Sequence, residues 1–317
     1  MRQFIKSILS FLLLSLVLLL AVVRIPEILV QRHADFTFQD APYYLLIGHS
    51  HPECAFNDSL INGLKNVAQS GESYFYTYYK TKQLLAQNPS IQVVFIEFTN
   101  NQISGSMSDW IWKEKYMDYR YPIYAPFMDL SGNMLLAKHN SNGYVNAVSL
   151  SAKENSNRVL RQHYQYATEV GGYKYLVRDK TDSLIIAMNE HPVSHDTLSI
   201  SEYNLTYLAK TIELCTHFGK DVILIRSPLH DKYPGYFNED LYKDILTTRY
   251  ADIPYLDLSR FPLPNQAFGD LEHLNFKGAT IFSVWFDTCV LKDGLLQAPD
   301  PQKVIDSMMA VLRMEQF

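Results

Sequence analysis

The sequence predicts an α/β fold, a doubly wound and mainly parallel sheet with a helical insertion and an N-terminal transmembrane helix. Three observations support this prediction. Short apolar runs alternate with helix-length amphipathic segments, at a spacing typical of parallel sheets. The alternation stops at about residue 103 and resumes near residue 198. An uncharged run of 17 residues lies between Lys6 and Arg24. We therefore expect a membrane anchor and stalk at 1–34 and an α/β domain at 35–317, with its insertion at about 103–196.

The uncharged N-terminal run favours an anchor that is retained. A signal-peptide core usually has about 7–15 apolar residues and ends at small residues. This run is longer and ends at Val22, Val23 and Arg24. A spanning helix needs roughly 20 residues, and snorkelling by Lys6 and Arg24 supplies the difference. The short basic N-terminus favours a single-pass protein whose domain lies on the extracytoplasmic, periplasmic side. A cleaved signal peptide is the alternative.

Five apolar runs are the predicted strands. They cover "YYLLIG" at 43–48, a brief strand at 66–68, "IQVVFIEF" at 91–98, "DVILIRSP" at 221–228 and "IPYLDLS" at 253–259. A first helix is predicted in "NDSLINGL", with Asn57 or Asp58 as its cap, and the last helix follows Asn275. Between 103 and 196 no strong strand pattern occurs, and we expect a helical insertion whose aromatic residues at 110–127 line a cleft.

Composition and charge exclude several classes of protein. A net charge of −5 and a pI near 6.1 give no basic surface, so nucleic acid is not a predicted partner. Three cysteines without CxxC spacing argue against a disulfide framework and against a cysteine zinc site. Neither a metal nor an organic cofactor is predicted.

Residues suited to acyl transfer follow the predicted strands. In a doubly wound sheet the loops after the carboxyl ends of the strands meet at one edge. Ser50 follows the first strand in "GHS", and Asp270 and His273 precede the last helix in "DLEHLN". An aspartate three residues before a histidine can fix the imidazole tautomer, which leaves the other ring nitrogen free to accept the serine proton. We predict Ser50, Asp270 and His273 as a catalytic triad.

The same edge offers donors for an oxyanion. Ser50 lies where the first strand turns towards the following helix, near the helix N-terminus, where backbone N–H groups and the helix dipole stabilise negative charge. Gly71 in "QSGES" can present an unhindered N–H, and Asn100 in "EFTNN" a side-chain amide. We predict Ser50, Gly71 and Asn100 as the oxyanion hole.

A metal site is the alternative for the histidine-rich loop. His49 and His51 have the spacing of an amidohydrolase pair, and His230 and Asp270 are the further ligands available. That chemistry belongs to an eight-stranded barrel, and the pattern does not supply eight strands. No metal ligand is therefore predicted.

These motifs resemble those of the SGNH hydrolase superfamily, in its membrane-anchored branch akin to alginate-acetylation and D-alanyl-transfer accessory proteins. The family blocks are matched by Gly48-His49-Ser50, Gly71, Asn100, and Asp270 with His273, and the resemblance covers about 43–103 and 198–292. The first block usually has Asp in place of His49. The third is normally Gly-x-Asn-Asp, whereas this chain has Phe98-Thr99-Asn100-Asn101, so Asn101 stays open as the alternative to Asn100.

The resemblance and the anchor together imply two functions. One is an exported, membrane-anchored serine esterase or O-acyltransferase that acts on acyl esters, acetyl above all, of cell-envelope or secreted polysaccharide. The other is a non-catalytic accessory module of the same fold that binds a glycan or a membrane acyltransferase. The implied partners are the membrane, an acyl-ester or polysaccharide substrate, and a polytopic membrane acyltransferase.

Overall fold

The computed structural model describes residues 1–190, 198–292 and 294–315. The chain forms two compact units. The helical unit comprises Met1–Phe36 and Asp109–Ala167, and the sheet unit comprises Thr37–Ser108 and Thr168–Phe317. The segment predicted as an insertion at about 103–196 is thus divided, because residues 168–190 belong to the sheet unit. Residues 191–196 of that segment lie outside the described residues.

The described part of the sheet unit contains a five-stranded, all-parallel sheet. Its strands are β1 (Tyr44–Ile47), β2 (Leu64–Asn66), β3 (Val93–Glu97), β4 (Asp221–Arg226) and β5 (Tyr255–Asp257). Their order is β2-β1-β3-β4-β5, and the register places Leu46 beside Phe95 and Phe95 beside Ile223. The predicted doubly wound parallel sheet is confirmed. The order reverses between β1 and β3, and in such sheets the crevice at that reversal is where ligands bind.

Helices in both units have the following bounds: α1 (Arg2–His33), α2 (Ser50–Ala55), α3 (Tyr74–Gln87), α4 (Asn100–Ile103), α5 (Asp109–Trp112), α6 (Glu114–Tyr124), α7 (Leu130–His139), α8 (Ser141–Arg161), α9 (Thr181–Glu190), α10 (Glu202–His217), α11 (Glu239–Arg249), α12 (Phe276–Trp285) and α13 (Pro301–Glu315). The helix predicted in "NDSLINGL" is only a 3₁₀ turn, Asp58–Leu60. Asn57 accepts hydrogen bonds from the backbone N–H and the hydroxyl of Ser59, and such local bonds favour a turn over a helix.

The sheet is covered on both faces. All five residues of β3 are buried, as expected for a central strand with helices on either side. Leu46, Phe95 and Ile225 belong to one apolar cluster, together with Phe282 of α12 and Met309 of α13. Helix α10 contacts α3 and β4. Burial of this kind contributes about 25 cal/mol per Å² of apolar surface and fixes the positions of the strand ends.

Helix α1 begins the helical unit and continues through the segment predicted as a stalk. It is the one helix in the described residues that is long and apolar enough to cross a membrane. After the uncharged run it continues as "IPEILVQRH", where Val30 is fully buried. At its last residue, the ring of His33 stacks on Tyr164 with centroids 5.1 Å apart. Packing within the helical unit therefore keeps this segment helical.

Candidate active site

A tight turn after β1 presents Ser50. Gly48 ends the strand, and a Cβ at this position would lie 2.6 Å from the Cβ of Glu97 and 2.9 Å from Pro52. Only glycine allows this approach to β3. Helix α2 starts immediately afterwards at Ser50, which is half-buried. The turn therefore places the serine hydroxyl at the carboxyl edge of the sheet.

Ser50, His273 and Asp270 form one hydrogen-bonded unit. The Ser50 Oγ lies 2.8 Å from Nε2 of His273. Nδ1 of His273 lies 2.9 Å and 3.1 Å from the two carboxylate oxygens of Asp270. Because a carboxylate only accepts, Nδ1 carries the proton, and Nε2 is left to accept the serine O–H. The three residues predicted as a triad are thus brought together with the geometry that nucleophilic catalysis needs.

Asp270 also folds the loop that carries His273. Its carboxylate accepts hydrogen bonds from the backbone N–H groups of Glu272, at 2.8 Å, and His273, at 2.9 Å. Arg178 adds an ion pair of 2.5 Å to the other oxygen. Burial raises the pKa of Asp270, but the hydrogen bonds from His273 and Glu272 and the charges of His273 and Arg178 outweigh it and lower that pKa to about 2. The carboxylate is therefore ionised at neutral pH and stabilises an imidazolium.

The prediction that Asn100 donates to an oxyanion does not fit its contacts. Its Nδ2 donates to Asn238, at 3.0 Å, and to Glu239, at 2.9 Å, which uses both of its protons. Its Oδ1 accepts from Arg226. Asn100 thus hydrogen-bonds both members of an ion pair in which Nη2 of buried Arg226 lies 2.7 Å from Glu239.

Asn101 is oriented differently. Its Oδ1 accepts the hydroxyl of Thr99 at 2.6 Å. The Thr99 hydroxyl lies 3.1 Å from Nε2 of His49, whose Nδ1 accepts the N–H of His51 at 3.4 Å. Nε2 of His49 is consequently the protonated nitrogen, and the relay fixes the Asn101 oxygen as an acceptor. The Asn101 amide N–H₂ makes no hydrogen bond within the described part of the chain, so it is the asparagine free to donate.

Two backbone N–H groups, those of Gly71 and Ser50, are the other donors predicted for an oxyanion. Gly71 follows β2 with a φ of 72°, a conformation that favours glycine. No residue that the structure describes accepts a hydrogen bond from its N–H. The Ser50 N–H is the first of α2 and so has no acceptor within the helix. Both groups keep the donor capacity predicted for them.

Two sets of side chains could hold a metal ion among the described residues. His49, His51 and Glu97 form one set, and His51, Glu272 and His273 the other, with ligand atoms within 4.8 Å of one another. The first set already has partners, because Thr99 bonds His49 and Ser227 bonds Glu97. The second shares His273 with the triad. His230, the further ligand of the metal alternative, contacts Asn265 at 3.1 Å and the Lys232 N–H at 3.0 Å.

The environments of three residues near Ser50 could not be predicted from the sequence. Arg178 lies in the segment predicted as an insertion, and only the fold brings it to Asp270. His51 is buried, neither of its ring nitrogens makes a hydrogen bond to a residue that the structure describes, and burial lowers its pKa well below the usual value. Glu97 is the last residue of β3 and lies within the run 91–98 that the sequence predicts as a strand. Burial raises the pKa of its carboxyl to about 8, although the hydroxyl and N–H of Ser227 donate to it.

Comparisons with known proteins are sparse. A protein-family model matches residues 154–294, which is less than half of the chain. No curated protein matches the sequence. A GDSL-like lipase from Bacteroides thetaiotaomicron is 13% identical, over 83% of this chain and 94% of its own, with a TM-score of 0.36. A protein described as an acylhydrolase from Bacteroides fragilis is 11% identical, over 83% and 93%, with a TM-score of 0.35. At such scores the likenesses carry no functional conclusion, and the function depends on the geometry around Ser50.

Proposed function

We propose that the protein is an SGNH-type serine esterase or O-acyltransferase, with Ser50 as nucleophile, His273 as general base and Asp270 as the residue that orients the base. The observation that carries this proposal is the unbroken relay from Ser50 through His273 to Asp270, with separations of 2.8 and 2.9 Å. A weak nucleophile such as a serine hydroxyl becomes reactive when a base within about 2.6–3.2 Å accepts its proton.

The reaction proceeds through an acyl-enzyme. His273 takes the proton of Ser50 as the oxygen attacks the ester carbonyl, and negative charge develops on the carbonyl oxygen. The N–H groups of Ser50 and Gly71 and the amide of Asn101 are the proposed donors to that oxygen. The imidazolium then protonates the leaving alcohol. Water or an acceptor hydroxyl, deprotonated by His273, attacks the acyl group and releases Ser50.

The proposed substrates are acyl esters, such as acetyl esters, of cell-envelope or secreted polysaccharide. Helix α1 supports attachment to a membrane, and Arg2 and Lys6 before the uncharged run favour a domain on the extracytoplasmic side. The motif resemblance adds a polytopic membrane acyltransferase as a partner that would supply or receive the acyl group.

Labelling with a fluorophosphonate probe tests the proposal. The full-length chain in detergent should be labelled, because the probe reacts with activated serines. Ser50→Ala and His273→Ala should each lower labelling by at least about 10³-fold, since members of a triad act as a unit. Ser59→Ala, in the exposed turn beyond α2, is the matched control and should label as the parent does.

Two outcomes would reject the enzyme assignment. One is labelling that persists in folded Ser50→Ala. The other is a folded parent chain that neither labels nor hydrolyses an activated acetyl ester, and this result would favour the accessory module.

A further inference from the structure

A cavity in the helical unit has walls from the anchor helix and from later helices. Its volume is about 580 Å³. Helix α1 contributes Leu19 and Val23, which belong to the uncharged run. Facing them are Leu130, the first residue of α7, and Val145, in the second turn of α8. Because a spanning α1 holds Leu19 and Val23 within the apolar layer, the start of α7 and the start of α8 lie at nearly the same depth.

Helix α8 runs alongside α1. Its first turns lie at the depth of Val23, and its last turn lies further along α1, towards His33. Val145 shares the cavity with Val23, whereas Tyr164, three residues after α8, stacks on His33 and accepts the Asp35 N–H at 2.8 Å. Ten residues separate Val23 from His33, a rise of about 15 Å in a helix. The first turns of α8 are therefore near the edge of the uncharged run, and its last turn is about 15 Å further out.

Three apolar side chains at the deeper end are exposed. Leu130 is 76% exposed, Met134, one turn later in α7, is 63% exposed, and Val145 is 65% exposed. Residues 130–152 contain one lysine and neither aspartate nor glutamate. Charged residues resume at Lys153 and Glu154, on the part of α8 that has moved outward. Three exposed apolar side chains and a segment without acidic residues are thus found together at the depth set by α1.

We propose that Leu130, Met134 and Val145 are immersed in the bilayer, at the boundary between headgroups and acyl chains, beside the anchor. Helices lie in this boundary when one face is apolar and carries little charge that must be desolvated. The membrane is the partner that fits, because Leu130 and Val145 share a cavity with Leu19 and Val23 of α1, and Met134 lies one turn after Leu130 in α7. The helical unit would then hold the membrane at two places, through α1 and through α7 with the start of α8. This inference requires a spanning α1 and does not depend on the esterase activity.

Depth-dependent quenching tests the proposal on the full-length chain. Met134→Cys and Val145→Cys are made separately, and each variant is labelled with the fluorophore NBD. The labelled chain is reconstituted into vesicles of phosphatidylcholine and phosphatidylglycerol. Some of the phosphatidylcholine carries a nitroxide on its acyl chain. Leu160→Cys is the matched control, since Leu160 is 82% exposed and lies at the outer end of α8. Leu18→Cys marks the membrane interior, and the parent chain gives the background from its native cysteines.

Labels at 134 and 145 should lose emission to the lipid nitroxide and resist aqueous iodide, as the label at 18 does, whereas the label at 160 should show the reverse. Labels at 134 and 145 that behave like the one at 160, while the label at 18 is quenched, would overturn the proposal. Protection from iodide without quenching by lipid would also overturn it, because a protein would then cover this surface. An unquenched label at 18 would remove the anchor as well, and would leave the esterase proposal untouched.

Discussion

The two asparagines after β3 have different hydrogen-bond partners, so we predict that their substitutions differ in kind. Asn101→Ala removes a free donor and should lower the rate of ester hydrolysis by about 10²–10³-fold, with little change in stability. Asn100→Ala leaves Arg226 and Glu239 with unmet hydrogen bonds and should lower the free energy of unfolding by about 1–3 kcal/mol. Probe-labelling rates and urea titrations of both variants separate the two effects. A large loss of rate in stable Asn100→Ala would return the donor role to Asn100.

Glu97 should make the stability of the fold depend on pH. Its pKa is raised by burial from 4.5 to about 8, so the folded state holds a proton that the unfolded state has lost in this range. The stabilisation is complete at a pH below the pKa that Glu97 has in the unfolded state. It is lost as the pH rises through the pKa of the folded state, at up to about 1.4 kcal/mol per pH unit. Glu97→Gln should flatten this decline, whereas exposed Glu114→Gln should not. Denaturation at about pH 5, 7 and 9 gives the slopes. Equal slopes in the parent chain and Glu97→Gln would contradict the prediction.

Short-range spacing made the triad residues predictable. Asp270 and His273 are three apart, and Ser50 follows an apolar strand, so local pattern and sheet topology together bring them to one edge. The choice between Asn100 and Asn101 depends on Arg226, which is 126 residues away from Asn100. The spacing of residues along the sequence does not reveal a contact between residues so far apart. Residues that act through such partners have to be read from the fold.

At the scale of elements, the turn between β1 and α2 should be the most sensitive to an added methyl group. We predict that Gly48→Ala lowers the free energy of unfolding by about 1–3 kcal/mol, because its Cβ would overlap Glu97, and that it abolishes probe labelling by displacing Ser50. Gly219→Ala is the control. Its φ is 68°, but the described residues place no atom within 4 Å of the added Cβ, so the substitution should cost about 1 kcal/mol and keep labelling. Full labelling of Gly48→Ala would show that the turn does not set the position of the serine.

Strands with longer apolar runs were predicted more closely than the short edge strand β2. β3 and β4 lie within the predicted 91–98 and 221–228, because continuous apolar runs report burial on both faces. β2 has only three residues and starts two positions before the predicted 66–68. So short a strand is defined by pairing with β1, and its own sequence has little periodicity to read.

At the scale of the whole molecule, protease accessibility tests where the domain lies. We predict that protease added to intact spheroplasts removes the sheet unit and spares a fragment with α1, since the basic residues before the uncharged run favour an N-terminus inside. A cytoplasmic protein serves as the control for intact membranes. Protection of the sheet unit until lysis would reverse the orientation. A mature N-terminus near residue 24 would instead show that the run is a cleaved signal.

Because α1 is one continuous helix, the number of residues between Val23 and His33 cannot vary freely. A flexible stalk tolerates the gain or loss of a residue, because its ends simply move closer or farther. Helix α1 instead contacts its partners at two heights, the cavity at Val23 and the ring of Tyr164 at His33. One residue inserted between Val23 and His33 would rotate one contact against the other by about 100°, whereas seven residues, about two turns, would restore the angle at a greater height. Changes of length in this segment are therefore constrained by helical phase as well as by distance.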